Sequence, residues 1–250
     1  MTDKKILVMI PTYNESENVK KMCHDISMTG IPADVLFIDD NSPDGTGAIL
    51  DELAKSIPRV KVNHRQGKLG IGSAHLDGIV WVYSQGYSHL VTMDCDFTHS
   101  PENINDLLTW ADEYDVVVGS RHILEDSLNG WNLWRKCITR TGHLLTTVLL
   151  KMPYDATGAF RLYRLDRIPP EIFKRATSRG YSFFIESLTI LNLNGFRIKE
   201  IPIALPPRTY GHSKLRFRDM IQWLIFMLVM AWNIRFNRDK YLVFPARTIL

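Results

Sequence analysis

The segment HLVTMDCDFTHSP, His89 to Pro101, decides how the rest of the chain is understood. Its first part, His89 to Asp94, has the length and apolar character of a buried strand. Asp94 and Asp96 then place two carboxylates one residue apart where the strand runs out. Pro101 stands where proline is tolerated, at the opening of a helix. Alternate residues of a strand share a face, and at its end both carboxylates reach toward one ligand. Two close carboxylates repel each other unless a cation lies near them. Hard divalent cations take oxygen ligands, commonly one or two carboxylates together with substrate phosphates. Two surface acids ahead of a helix would look the same in isolation, so the surrounding chain has to arbitrate.

Outward from this segment the first half alternates apolar runs with helical patterns. Strands are expected at Ile6–Pro11, Val35–Asp40, Val60–His64, His89–Asp94 and Asp115–Arg121, with helices at Asn18–Met28, Gly47–Ile57, Ile71–Ser84 and from Pro101. That alternation predicts an α/β domain built on a parallel sheet. The second half predicts a helix over Trp131–Leu150, a strand over Gly158–Arg164, a helix over Phe183–Asn194 and a strand over Phe196–Ile203. A loop, LPPRTYGHSK (Leu205 to Lys214), follows. In an open parallel sheet ligands bind outside the carboxyl ends of the strands. Thr12–Glu15, Asp39–Asp44, Asp94–His99 and Ser120–Arg121 are therefore expected to converge on one crevice.

Composition narrows the classes. The 250 residues are 45% hydrophobic and 23% charged, which fits a globular domain and not a disordered chain. A net charge of +3 is too small to point to nucleic acid. Cys23, Cys95 and Cys137 have no metal-ligand spacing, and a reduced, cytoplasmic compartment is the simplest expectation. The N-terminal apolar run is short and ends at Pro11, without a signal-peptide pattern. Near the C-terminus, Met220–Trp232 is apolar but shorter than the ~18 residues a membrane span requires. Arg216, Arg218, Arg235 and Arg238 flank it. An interfacial helix at a membrane is expected there, with a core helix or a homo-oligomer interface as the competing reading. The corresponding division is 1–210 for the main domain and 211–250 for a C-terminal helical segment.

The crevice carries further chemistry. Asp39 to Thr46, DDNSPDGT, is a second acidic strand end, whose carboxylates suit a ribose or base as hydrogen-bond acceptors. Lys68 to Ser73, KLGIGS, is a flexible turn before a helix, with amides placed for a phosphate or ribose. It is not a dinucleotide fingerprint, because His75 occupies the third glycine position, and it lacks the Gly-Lys-Ser/Thr of a P-loop. A dehydrogenase is thereby disfavoured. Arg121, Arg135, Arg140, Arg161, Arg208 and Lys214 are the cations available to a diphosphate.

Taken together, IPTYNESENV, IDDNSPDGT, KLGIGSAHLDG, MDCDFTHSPE, GSR, WRK, DATGAFRLYR, GYSFFIE, EIPI and RTYGHSKL resemble glycosyltransferase family 2, in its dolichol-phosphate mannose synthase-like branch. The motifs run in family order from about Ile10 to Leu215. The resemblance implies a GT-A, Rossmann-like fold and an inverting transfer dependent on Mg²⁺ or Mn²⁺. Pro11, Tyr13, Glu15, Asp39, Gly70, Gly72 and Asp94 would serve the nucleotide. Asp94 and Asp96 would hold the metal–diphosphate unit. Asp96, Arg121, Glu186, Arg208 and Lys214 would be catalytic, Arg135 and Ser213 would meet acceptor phosphate, and Asp155 and Glu186 match acidic family positions near sugar or acceptor. Departures are Cys95 where Ala is usual, Thr98 where Gln or Ser is common, and His212 in place of Glu. The implied partners are a nucleotide-diphosphate sugar, foremost GDP-mannose, and a polyprenyl phosphate at the cytoplasmic face of a membrane, with peripheral contact to it. The alternatives are a soluble family 2 enzyme with a saccharide hydroxyl acceptor, for which Asp155 and Glu186 are the candidate bases, and a non-catalytic nucleotide-binding protein.

Overall fold

A computed structural model describes residues 4–125, 127–128, 130–131, 133–205 and 217–244; for residues 134, 135 and 217–220 it describes the backbone only. Seven strands form one sheet: β1 (Ile6–Thr12), β2 (Ala33–Asp39), β3 (Val60–His64), β4 (His89–Thr92), β5 (Val116–Ser120), β6 (Arg161–Arg164) and β7 (Ile198–Pro202), in the order β3-β2-β1-β4-β6-β5-β7. All neighbours are parallel except that β6 runs antiparallel to both β4 and β5. β4 and β5 are therefore parallel to each other with β6 between them, and the start of β6 shares an edge with their carboxyl ends.

The helices are α1 (Val19–Met28), α2 (Thr46–Ser56), α3 (Ile71–Ser84), α4 (Asn103–Thr109), α5 (Leu133–Leu150), the single turn α6 (Glu171–Lys174), α7 (Ser182–Leu193) and α8 (Phe217–Phe236). β1 shows why the strands are near-continuous apolar runs. Leu7 and Met9 face one core, with Ala74, Ile79 and Val82 of α3 and Phe183 and Leu188 of α7. Ile6, Val8 and Ile10 face the other, with Val19, Met22 and Ile26 of α1 and Ile104 and Leu107 of α4. A strand covered on both faces needs apolar side chains at every position.

The elements fall within about two residues of where the periodicity puts them (β4 ends at Thr92, short of the expected Asp94), with three further differences. The strand expected from Gly158 begins at Arg161, because 155–160 is spent on the turn that enters the carboxyl edge. Pro101 opens a turn and α4 follows at Asn103. α6 and a 3₁₀ turn at Arg238–Lys240 were not expected, being too short to show a period. The expected loop residues from Pro206 to Lys214 lie outside the described residues.

α8 packs on α5 and α7 through Met227 and Met230, with Trp223, Phe226 and Ile234 partly buried. Its other side exposes Ile221, Leu224, Ile225, Leu228, Val229, Trp232 and Phe236. No described helix is long and apolar enough to cross a membrane.

Candidate active site

β1 and β2 end in register, Thr12 against Asp39. The loops that follow are stitched together: Asn14 N donates to Ser42 Oγ at 2.9 Å, Glu15 N to Thr46 Oγ1 at 3.0 Å and Ser16 N to Asp44 Oδ2 at 3.1 Å. Asn14 and Asn41 both take φ of 56°, a left-handed turn that Asn tolerates. Asp39 is buried, and its carboxylate accepts Ser42 N at 3.1 Å and Ser42 Oγ at 2.5 Å. Asp44 lies below the usual carboxylate range: burial pushes it up, but hydrogen bonds from Thr46 and Ser16 outweigh that. Pro11 is partly buried in β1, and Glu15 accepts Asn18 Nδ2 at 2.6 Å. The Tyr13 ring lies 4.0 Å beneath Lys68 Nζ.

Beside β1, β4 delivers the acidic pair. Asp94 is partly exposed and Asp96 is buried. Phe97 takes φ of 59°, which turns the chain back on itself. Thr98 then donates to Asp96 Oδ1 from both N (3.2 Å) and Oγ1 (2.6 Å). His99 Nδ1 accepts Asp94 N at 3.1 Å, which puts the neutral ring's proton on Nε2. Its ring stacks on Phe160 at 5.2 Å. Thr98 thus orients the acid before it. Cys95 points the other way, into the apolar core, where a small apolar side chain is required. Among the described residues no three His, Cys, Asp or Glu side chains form a metal cage. Two carboxylates and no soft ligand suit Mg²⁺ or Mn²⁺ held jointly with diphosphate oxygens.

The end of β5 and the turn that precedes β6 bring the next groups to the edge. Asp155 is fully buried and paired with Arg121, whose Nε (2.8 Å) and Nη2 (3.2 Å) reach its two oxygens. Arg121 N and Thr157 N add to the same carboxylate. Burial alone would push Asp155 up, yet the Arg121 guanidinium holds it well below the usual range. Its own amide donates to Glu200 Oε1 on β7 at 2.6 Å, and burial pushes the Glu200 carboxyl up. His122 is pushed down to about 4, first by burial, with Asp155 opposing. It stacks at 4.0 Å on His143, which fastens α5 to this end of β5.

Four residues sit differently from expectation: Glu186, Gly70, Gly72 and Arg161. Glu186 is 1% exposed and does not open on the edge. Its carboxylate accepts Thr177 N (2.9 Å), Thr177 Oγ1 (3.0 Å) and Ser178 N (2.7 Å). Gly70 and Gly72 lie at the start of α3, and their close approach is to the chain itself: a Cβ on Gly72 would stand 2.7 Å from Gly180 O. Arg161 likewise faces the core, donating to Ala156 O and Phe184 O, so it is no cation for a diphosphate. Arg208, Ser213 and Lys214 lie outside the described residues, and Arg135 is placed only as a backbone position in the first turn of α5.

The structure also shows residues that the sequence did not single out. Buried Arg65, just past β3, bonds Asp40 Oδ1 (2.5 Å), Ser73 Oγ (2.6 Å) and Asp77 Oδ2 (3.1 Å), tying β2, β3 and α3 together. A cation directly after a strand, opposite two acids that end the neighbouring strand, was the available signal. Glu200 and His122 left none, since each depends on a contact distant in sequence.

A family model described as Glycosyl transferase family 2 matches residues 7–167, from β1 to just past β6. The polyprenol monophosphomannose synthase of Mycolicibacterium smegmatis is 35% identical over 240 residues, covering 95% of this chain and 90% of that protein. The undecaprenyl-phosphate mannosyltransferase of Micrococcus luteus is 36% identical over 212 residues, covering 84% and 87%. Among solved structures, S. aureus TarS 1–349 with UDP superposes with a TM-score of 0.56 at 16% identity, over 92% of this chain and 65% of that one. The mannosyltransferase PcManGT from Pyrobaculum calidifontis, in complex with GDP-Man and Mn²⁺, gives 0.55 at 14% identity, over 96% and 74%. These likenesses establish the GT-A fold. With the family model matching most of the chain, and two relatives above one third identity along nearly its whole length, this chain belongs to glycosyl transferase family 2 and is a glycosyltransferase.

Proposed function

We propose that the protein transfers mannose from GDP-mannose to a polyprenyl phosphate, with inversion, at the cytoplasmic face of a membrane. The two curated relatives, named for mannosyl transfer to polyprenol or undecaprenyl phosphate, support the sugar and the acceptor class. One observation favours a phosphate acceptor over a saccharide hydroxyl. A hydroxyl needs a positioned base. The two acids available for that task are committed, Asp155 to Arg121 and Glu186 to Thr177 and Ser178. A phosphate oxygen is already ionised and needs no base.

In this reading the nucleoside lies over the joined β1 and β2 loops, against Pro11, Tyr13, Glu15 and Asp39. Asp94 and Asp96 face the diphosphate, with Thr98 fixing Asp96 in place. A divalent cation, Mg²⁺ or Mn²⁺, held there with the diphosphate oxygens would neutralise the charge that builds on the leaving group. Arg121 keeps a fixed positive charge at the same edge, because Asp155 pins two of its nitrogens. Arg208, Ser213 and Lys214 are proposed to close on the phosphates, and Arg135 to meet the acceptor.

Membrane contact belongs to the same proposal, with 1–210 as the transferase body and 211–250 as the contacting segment. The exposed side of α8 is apolar from Ile221 to Trp232 except for Gln222, and Arg235, Arg238 and Lys240 follow it. Such a face suits the interface of an anionic bilayer.

The deciding experiment is a transfer assay. GDP-mannose, UDP-glucose and UDP-N-acetylglucosamine are offered with polyprenyl phosphate or with neutral saccharides, in Mn²⁺, Mg²⁺ or chelator. Metal-dependent mannosylation of the lipid phosphate is expected. Transfer to saccharide hydroxyls alone would overturn the acceptor assignment.

A further inference from the structure

We propose that Glu186 is a positioning residue for the nucleotide side of the crevice, acting through the 177–180 turn on the start of α3. The consequence for donor binding rests on the nucleotide-sugar reading above; the mechanical link does not.

Glu186 lies in the second turn of α7, on the far side of the chain from the acidic pair in sequence but next to α3 in space. Thr177 and Ser178 give its carboxylate three donors, two of them backbone amides. A carboxylate so bonded holds a turn in one shape and has little capacity left to take a proton from a substrate. The next residue of that turn, Arg179, meets α3. The Arg179 carbonyl accepts Ser73 N at 3.1 Å, one of the first-turn amides that a helix leaves without an internal partner.

The contact is close enough to dictate sequence on both sides. A Cβ on Gly70 would lie 2.5 Å from Arg179 O. One on Gly72 would lie 2.7 Å from Gly180 O, 2.7 Å from Phe183 Cβ and 2.8 Å from Arg179 C. Gly70 also takes φ of +99°, which side chains rarely adopt. The link continues toward the ligand edge. Ser73 Oγ accepts Arg65 Nη2 at 2.6 Å, and Arg65 pairs with Asp40 beside Asp39. A chain of contacts therefore runs from Glu186 through Arg179, Ser73 and Arg65 to the acidic end of β2. Removing its first member loosens α3 at its N-terminus without touching the acids at β4.

The test uses the full chain and the variants Glu186→Gln, Thr177→Val and Gly72→Ala. Glu186→Gln replaces an all-acceptor group by one that presents donors to donors. Amide hydrogen exchange at residues 71–74 is expected to accelerate about tenfold or more, corresponding to one lost charge-assisted hydrogen bond. Donor KM is expected to rise about tenfold, while kcat, its pH profile and acceptor KM stay at parental values. Thr177→Val deletes one of the three bonds and gives the same signature at smaller amplitude if Glu186→Gln does not fold. Gly72→Ala disturbs the contact from the other side and raises donor KM in the same way. If Glu186→Gln instead collapses kcat and removes a limb of its pH profile with donor KM unchanged, Glu186 is a catalytic base and the proposal falls. Unchanged exchange at 71–74 overturns it as well. A parent protein with no transfer from any donor would sink the functional reading, and the exchange experiment would still decide the link.

Discussion

At the scale of single residues, the site is a set of acids that look alike in sequence and are made different by their partners. Asp96 is buried and held by Thr98. Asp155 is buried and ion-paired, and Glu186 is buried and bonded to a turn. Among these described acids, the β4 pair, with Asp94 partly exposed, is the one proposed to hold the cation. Asp96→Ala should therefore fold as the parent does and lose about 10²-fold or more in kcat, the scale on which removal of one electrostatic contact to a transition state acts. A turnover assay in Mn²⁺, paired with a melting curve, checks both halves; parental turnover would remove Asp96 from the metal site. Asp155→Asn should behave in the opposite sense for stability. It leaves the Arg121 guanidinium, 13% exposed, without its counter-charge. The expected cost is about 3 kcal/mol, seen as a lower urea midpoint at unchanged slope.

At the scale of elements, the connections carry more information than the strands. β6 reverses direction between β4 and β5, so the turn that precedes it, with Asp155 and Thr157, arrives at the edge already occupied by Asp94 and Arg121. α8 is apolar on the side that packs against α5 and α7 and apolar on the side that faces away. A helix apolar all round is ordinarily enclosed. With Trp232 64% exposed, something of low polarity is expected to cover this one. Leu228→Glu alters only that outer face. It should change stability by no more than about 0.5 kcal/mol, yet weaken association with anionic vesicles about tenfold or more, the worth of one buried leucine. Vesicle co-sedimentation measures the second effect. If Leu228→Glu bound vesicles like the parent but converted a dimer to a monomer, the face would belong to a second copy.

At the scale of the whole molecule, stability should depend on histidines buried in neutral form. His75 titrates in the fold at about 3 and His89 at about 4, against 6.5 for the free side chain; burial is the main cause, with Arg161 and Arg164 adding to it. His122 lies at about 4 for the same first reason. Below pH 6.5 the unfolded chain binds protons that the folded chain refuses, so stability falls as pH falls; the share of His89 and His122 levels off near 4 and that of His75 near 3, where loss of the depressed Asp155 and Asp44 carboxylates takes over. Calorimetric melting across that window should show a steady decline. Both ring nitrogens of His75 are buried without a hydrogen bond, so an apolar replacement abandons none. His75→Leu should stay within about 1.5 kcal/mol of the parent at pH 7 and decline less steeply toward acid. An equally steep decline would show that His75 is not among the groups responsible.

The sequence by itself determined the α/β architecture and the edge on which the chemistry stands, because strand runs, helix periods and strand-end acids are local patterns written in consecutive residues. It also placed Asp94 and Asp96, since a carboxylate pair at a strand end needs no distant partner to be noticed. The tertiary structure alone decided which of the remaining acids and cations face the crevice. Arg161 and Arg65 are set by contacts made across more than twenty residues and Glu186 by the fold of the 177–178 turn back onto α7, and the Gly70–Gly72 turn owes its glycines to the 179–180 backbone pressed against it. Burial and charge pairing are properties of the packed chain, and no local spacing encodes them.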